Sequence, residues 1–109
     1  MLRAGAAAKP ILSRLRHDEL LLYKAADALS DGLSLRAAIL LDAAEDHSSP
    51  QWNLLRGSVC LEMGEYRSAT EYLHRAEEAF PKDTAPLLER CYRELEDFKK
   101  AYFYACKQR

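Results

Sequence analysis

The sequence has few of the residues that interrupt helices and few of those that prefer strands. Its 109 residues include only 4 Gly and 4 Pro. Ile and Val are scarce, whereas Ala, Leu, Glu, Lys and Arg dominate, so the intrinsic propensities favour helix over strand. With 49% apolar and 30% charged residues, the chain has the composition of one globular domain and is too apolar for a disordered segment.

Long apolar runs and paired cysteines are also lacking. No run approaches the ~20 apolar residues that a helix needs to cross a bilayer, so a membrane is not expected as a partner. The cysteines are Cys60, Cys91 and Cys106, an odd number without a C-x-x-C pair, which does not suit a secreted disulfide scaffold. No His lies within four residues of a Cys. We therefore expect no metal site and a reducing, cytoplasmic compartment.

Charge is distributed unevenly along the chain. Residues 17–89 hold six basic and fourteen acidic side chains, whereas residues 90–109 hold six basic and three acidic ones. A nucleic-acid-binding protein normally shows a dominant basic face. Because most of this chain would repel phosphate, nucleic acid is not expected as a partner.

The first residues form a basic segment. Residues 1–16 carry four basic side chains and no acid, and they are rich in Ala. Organellar targeting segments have this composition, and so does a basic arm that leads into the first helix. Such an arm would attach only weakly to an anionic membrane, at about 1 kcal/mol per charge. We assign residues 1–17 to a basic N-terminal arm and residues 18–109 to the folded domain.

Residues recur at a spacing of 32 along the domain, which is typical of a repeat architecture. The recurring sets are Gly32, Gly64 and Glu96; Ala37, Ala69 and Ala101; and Leu41, Leu73 and Ala105. The spacing predicts three units, at about residues 18–49, 50–81 and 82–109, each made of two helices and a short turn. Asp18 and Ser34 are candidate N-caps in the first unit, and Pro50 suits the first turn of the third helix.

The middle unit resembles a tetratricopeptide repeat. Seven of its residues fall in that family's register: Gly57, Gly64, Tyr66, Ala69, Leu73, Ala76 and Pro81. The flanking units keep fewer of these positions, and the period is 32 where the family usually has 34. The resemblance covers about residues 18–107. It implies an all-α fold of about three antiparallel helical hairpins, stacked as a short right-handed superhelix.

The resemblance also implies a binding groove, because in this family the first helix of each repeat lines the concave surface. The corresponding positions that we predict to bind protein are Leu22, Leu29, Leu54, Ser58, Leu61, Arg90 and Arg93. Leucines followed by two arginines would suit a protein or peptide segment with an apolar face and an acidic end. The alternative is that some of these leucines belong to the core.

The final helix is crowded with aromatic residues, and Phe98 and Tyr102 are the ones that we predict to bind protein. Stacked repeats expose an apolar face at their ends unless a cap covers it. We therefore expect the final helix to bind a partner or to pair with a second copy of the chain. The alternative is that its rings are buried within one repeat while the hydroxyls reach water.

Catalysis is not expected. The sequence has no Gly-rich phosphate loop, no Ser/His/Asp pattern and no H-E-x-x-H motif, and nothing in it calls for a cofactor. The sequence therefore favours a protein-interaction module or adaptor. Two alternatives stay open: a dedicated chaperone or assembly factor for one client subunit, and a structural subunit whose basic arm touches a membrane or directs import.

Overall fold

A computed structural model describes the backbone of residues 2–109 and the side chains of residues 16–109. Within this part, the chain forms helices α1 (Leu2–Ser30), α2 (Ser34–Asp42), α3 (Pro50–Glu62), α4 (Tyr66–Ala76), α5 (Pro81–Glu94) and α6 (Phe98–Lys107), and no strand. The all-α prediction is confirmed. The helices pair in sequence order as α1 with α2, α3 with α4 and α5 with α6. The chain divides into two compact units, residues 1–46 and residues 47–109.

The turn inside each hairpin has the same geometry. Gly32, Gly64 and Glu96 adopt positive φ angles of 77°, 80° and 61°. Immediately after each of them, a backbone N–H donates across the turn over 2.8 Å, from Leu33 to Ala28, from Glu65 to Cys60 and from Asp97 to Tyr92. In each turn the N–H of the residue after the left-handed position bonds to a carbonyl five residues earlier, which is the hydrogen bond of a Schellman motif. The 32-residue period therefore corresponds to a repeated backbone structure, with Glu96 in the position that glycine holds twice.

The first hairpin begins earlier than expected. Helix α1 is continuous from Leu2, so Asp18 is not its N-cap and the helix has no break between residues 17 and 18. The Asp18 carboxylate instead accepts hydrogen bonds from the backbone N–H groups of Glu45 and Asp46, each over 3.0 Å. Ser34 is likewise not a cap, since it is the first residue of α2. The side chains of the predicted basic arm before residue 16 lie outside the described residues.

The second and third hairpins share one core. Ser49 caps α3 by accepting a hydrogen bond from the N–H of Trp52 over 3.1 Å, and Pro50 occupies the first turn as predicted. The core is formed by Cys60, Leu61, Ala69, Leu73, Ala85, Leu88, Cys91 and Tyr104, which come from α3 to α6. Helix α5 packs against both α3 and α4, so the hairpins α3–α4 and α5–α6 are stacked.

Small residues allow the two helices of a hairpin to approach closely. Ala37, Ala69 and Ala101 are buried one turn into the second helix of each hairpin, where the 32-residue spacing placed them. Gly57 is buried on α3, and a Cβ atom there would lie 2.8 Å from Cγ and Cδ2 of Leu73. Any side chain at position 57 would therefore overlap Leu73.

Candidate protein-binding surfaces

The predicted groove residues differ widely in accessibility. Leu22 and Leu29 are half-buried on α1, and Leu54 and Ser58 are half-buried on α3. The Ser58 hydroxyl is already used, since it donates to the carbonyl oxygen of Leu54 in its own helix over 2.8 Å. These positions offer a partner only part of their side chains.

Leu61 is wrongly predicted as an exposed groove residue. Its side chain is 1% exposed and belongs to the core that contains Leu73 and Leu88. Gly57, Cys60 and Leu61 lie three and four residues apart and so share one face of α3. All three are buried, which places that face against the neighbouring helices. A partner bound to the outside of this unit cannot reach Leu61.

The two predicted arginines are exposed on α5. The Arg90 guanidinium lies 3.3 Å from the Glu62 carboxylate of α3, with both side chains largely solvated. An exposed pair of this kind contributes little to stability, on the order of 0–1 kcal/mol. Because Glu62 offsets the charge of Arg90, the exposed surface of α3 and α5 carries mixed charge. It is not the uniformly basic surface that the two arginines predicted for binding an acidic segment.

A polar cluster joins α4 to the third hairpin. Each nitrogen of the His74 ring contacts one neighbour: Nε2 lies 2.7 Å from the Tyr92 hydroxyl, and Nδ1 lies 3.1 Å from Glu77 Oε1. Lys107 Nζ lies 3.7 Å from the other Glu77 oxygen. The rings of Tyr92 and Tyr104 are stacked, with centroids 5.8 Å apart. This cluster, which we call the His74 cluster, ties α4, α5 and α6 together.

Hydrogen bonds in the His74 cluster control its acid–base behaviour. Burial favours a protonated Glu77, but hydrogen bonds from His74 and Tyr104 outweigh it and lower the pKa of Glu77. Burial and the adjacent Glu77 carboxylate raise the pKa of Tyr104 well above its usual value. The cluster thus favours a charged Glu77 beside a neutral Tyr104, which suits a structural contact.

Three large aromatic side chains stand out from α6. Phe98, Tyr102 and Phe103 are 64%, 68% and 53% exposed, whereas Ala101 and Tyr104 on the opposite side are buried. Lys99 and Cys106 are exposed on the same outer side. We call Phe98, Lys99, Tyr102, Phe103 and Cys106 the α6 surface. The structure therefore brings the two predicted residues of this helix, Phe98 and Tyr102, together on one exposed side.

The sequence prediction missed exposed apolar residues in the first unit. Leu20 and Tyr23 of α1 are 50% and 74% exposed, and Leu35 and Ile39 of α2 are also largely exposed. Tyr23 lies away from the buried Ala25 and Ala28. The missed signal was a second stripe of large apolar residues, on helices whose buried stripe combines alanines with Leu21 and Leu41.

The three cysteines differ in accessibility, since Cys106 is exposed and the other two are buried. Cys60 and Cys91 are buried free thiols, and burial raises the pKa of Cys91 to about 11. A thiol with a raised pKa is a poor nucleophile. Residues 16–109 contain no cluster of three or more His, Cys, Asp or Glu side chains arranged to hold a metal ion. Among the described helices, none is both long enough and apolar enough to span a membrane.

The comparisons with known proteins assign no family. No protein-family model, curated protein or solved structure matches the chain. The surfaces described above are therefore the basis on which its function is inferred.

Proposed function

We propose that the chain is a non-catalytic interaction module of tetratricopeptide type, which binds a protein segment through the α6 surface. The exposure of Phe98, Tyr102 and Phe103 on a helix of ten residues is the observation that supports this function best. Aromatic residues are enriched in protein interfaces, where they bury a large area at a low entropic cost. Contiguous exposed apolar surface on a folded protein commonly marks such a site.

The charged residues of α6 indicate which kind of protein segment would bind there. Lys107 Nζ lies 4.8 Å from the centre of the Phe103 ring, and Lys100 Nζ lies 5.3 Å from that of Tyr92. These two lysines also contact Asp97 and Glu77, so the charge that α6 offers a partner comes from Lys99, which is exposed beside Phe98 and Tyr102 and favours an amphipathic segment with acidic side chains. The exposed Arg93 of α5 is the groove residue that fits this preference most directly.

A second candidate function is that of a dedicated assembly factor for one client subunit in the cytoplasm. The exposed Leu35 and Ile39 of α2 favour it, because they add apolar surface on a different helix from α6. Such a protein should be poorly soluble alone and become soluble when it is produced together with its client. Solubility that does not change with any co-produced binding partner would exclude this alternative.

Photo-crosslinking tests the interaction function directly. A photoreactive phenylalanine analogue in place of Tyr102 should crosslink the intact chain to protein in cells. The same analogue in place of Glu71, an exposed residue on the outer side of α4, is the matched control and should give much less product. If position 102 gives no more crosslinked protein than position 71, the α6 surface is not a protein-binding site and the proposed function fails.

A further inference from the structure

We propose that the α6 surface of one copy binds the α6 surface of a second copy with the two helices antiparallel, so that the chain forms a weak symmetric dimer. This inference rests on the proposed function and names the partner of the same surface. It follows from the charges at the two ends of α6, from a basic cleft beside its last residues and from the size of its exposed aromatic patch.

Most of the positive charge on α6 is neutralised within one copy. Lys100 Nζ lies 3.8 Å from an Asp97 carboxylate oxygen, and Lys107 Nζ lies 3.7 Å from one of Glu77. Both ammonium groups also lie over aromatic rings of their own copy. Among the described residues, Lys99 is the lysine of α6 that has no such contact. Two α6 surfaces can therefore meet without strong repulsion.

The charges that remain have opposite signs at the two ends of α6. Before the helix, Glu94 and Glu96 are exposed together with Arg93, which leaves one net negative charge. After it, Arg109 is exposed, whereas Lys107 is paired within its own copy. The end of the helix is therefore positive. An antiparallel pair would bring the negative end of each copy to the positive end of the other.

A cleft at the positive end can receive the acidic turn of the second copy. It has a volume of ≈ 390 Å³ and lies between the start of α5 and the end of α6. Its lining includes three basic side chains, Lys82, Lys107 and Arg109, and no acidic one. Because Lys107 is paired with Glu77, the other two bases supply the free charge of the cleft. Glu96 of a second copy is an exposed carboxylate of the kind that such a cleft favours.

The length of α6 matches the antiparallel arrangement. With a two-fold axis at Tyr102, Glu96 of one copy lies level with Gln108 of the other, next to the basic cleft. The two Lys99 side chains lie on opposite sides of the axis, about 9 Å apart along the helices. A parallel pair would instead place Lys99 beside Lys99 and Arg109 beside Arg109. Charge therefore selects the antiparallel pair.

The aromatic patch determines how strong the contact can be. A fully buried aromatic side chain removes about 150–250 Å² from water. At the exposed fractions of Phe98, Tyr102 and Phe103, two copies would bury roughly 550–900 Å² of aromatic surface. With the flanking side chains this approaches the lower limit for a specific interface, about 1,000 Å². We therefore expect a dimer at high protein concentration and an open surface, with Cys106 accessible, in dilute solution.

Light scattering after size exclusion tests the association. The wild-type mass should rise with concentration from one copy to two and no further, because a two-fold contact uses the same surface on both copies and closes. Tyr102→Glu should stay monomeric at concentrations at which wild type is dimeric; Tyr102 is exposed, so the fold should be retained and is checked by circular dichroism. Arg67→Glu on the outer side of α4 is the matched control and should dimerise like wild type.

The same measurement separates this inference from the proposed function. Wild-type chain that is monomeric up to its solubility limit would overturn the dimer, even if position 102 still crosslinks to a different protein in cells. Mass that rises beyond two copies would also overturn it, since a two-fold contact cannot extend. Loss of association in Arg67→Glu would show that α4 and not α6 forms the contact.

Charge reversal tests the contact between the two ends and does not depend on the tyrosine variant. Glu96→Lys and Arg109→Glu should each weaken the dimer, and added salt should weaken the wild-type dimer. The chain that carries both changes should dimerise more strongly than either single variant, because opposite charges again face each other. If the double variant is weaker than both single variants, the ends do not meet and the antiparallel pairing is wrong.

Disulfide trapping tests the orientation. In the antiparallel pair, position 99 lies close to Cys106 of the second copy, whereas the two Cys106 residues are about 12 Å apart along the helices. With oxidised glutathione as the oxidant, Lys99→Cys should give a disulfide-linked dimer, and wild type should give much less. Lys99→Cys combined with Cys106→Ser is the control. A linked dimer from this control, or none from Lys99→Cys alone, would overturn the antiparallel pair.

Discussion

Replacing Gly57 by alanine tests the close contact between α3 and α4. An alanine Cβ would lie 2.8 Å from both Cγ and Cδ2 of Leu73, and 3.3 Å from its backbone nitrogen. Leu73 is fully buried in the core, so its side chain cannot turn outward into solvent. The substitution must therefore displace Leu73 or separate the two helices.

The expected effect combines two opposing terms. Overpacking a core costs ~1–3 kcal/mol. Exchanging Gly for Ala inside a helix contributes about 1 kcal/mol in the other direction. We expect Gly57→Ala to lower the free energy of unfolding by about 1 kcal/mol. In a Leu73→Ala background the overlapping carbon atoms are absent, so the same change should raise the free energy of unfolding, by up to ~1 kcal/mol.

A double-mutant cycle in urea gives this coupling directly. Leu73→Ala alone should cost ~2–5 kcal/mol, so the four proteins are compared at low temperature, where all should be folded. Trp52 lies in α3 and its fluorescence reports on this unit. The two single changes should be coupled by ~1–3 kcal/mol, the overpacking cost that Leu73→Ala removes. If Gly57→Ala has the same effect in both backgrounds, the contact with Leu73 does not limit residue size at position 57.

Three further predictions concern single sites. Glu96→Gly should raise the free energy of unfolding by about 0.5–1 kcal/mol in urea titrations, because it relieves a left-handed residue, whereas Gly64→Ala should lower it by a similar amount. Because the folded protein lowers the pKa of Glu77, this carboxylate stabilises the fold above the ordinary glutamate pKa, and that stabilisation is lost as the pH falls through the pKa of the folded state. The free energy of unfolding of Glu77→Gln should therefore fall less than that of wild type when the pH is lowered. An aromatic disulfide reagent should modify exposed Cys106 rapidly and buried Cys91 only after denaturation, since the pKa of Cys91 is raised to about 11; equal rates in the native protein would contradict the burial.

The hairpin architecture was predictable because its signals are local. Each signal acts within a few residues of the chain: a glycine ends a helix, a small residue follows one turn into the next helix, and a proline marks a helix start. Gly32 and Gly64 therefore marked their turns correctly. The left-handed φ of Glu96 was not predicted, and only the period could have indicated it, since glutamate has no preference for that conformation.

Other features depended on contacts that the sequence does not specify. Leu54 and Leu61 lie seven residues apart and so share a side of α3, but Leu61 is fully buried inside the core whereas Leu54 is only partly buried against it. The start of α1 was missed for a different reason. Pro10 normally interrupts a helix and Asp18 is a good N-cap residue, so local propensity placed the start too late. The Asp18 carboxylate accepts hydrogen bonds from Glu45 and Asp46, which lie 27 and 28 positions later in the chain, so local sequence did not indicate this role.

The His74 cluster has a consequence for the way in which the protein opens. Its contacts join the second hairpin to the third at two points, His74 with Tyr92 and Glu77 with Lys107. In stacked repeats, cooperativity depends on such contacts between neighbouring units. Residues 50–107 should therefore open as a single unit, and native-state hydrogen exchange should give the slow amides of α3, α4, α5 and α6 one common free energy of opening.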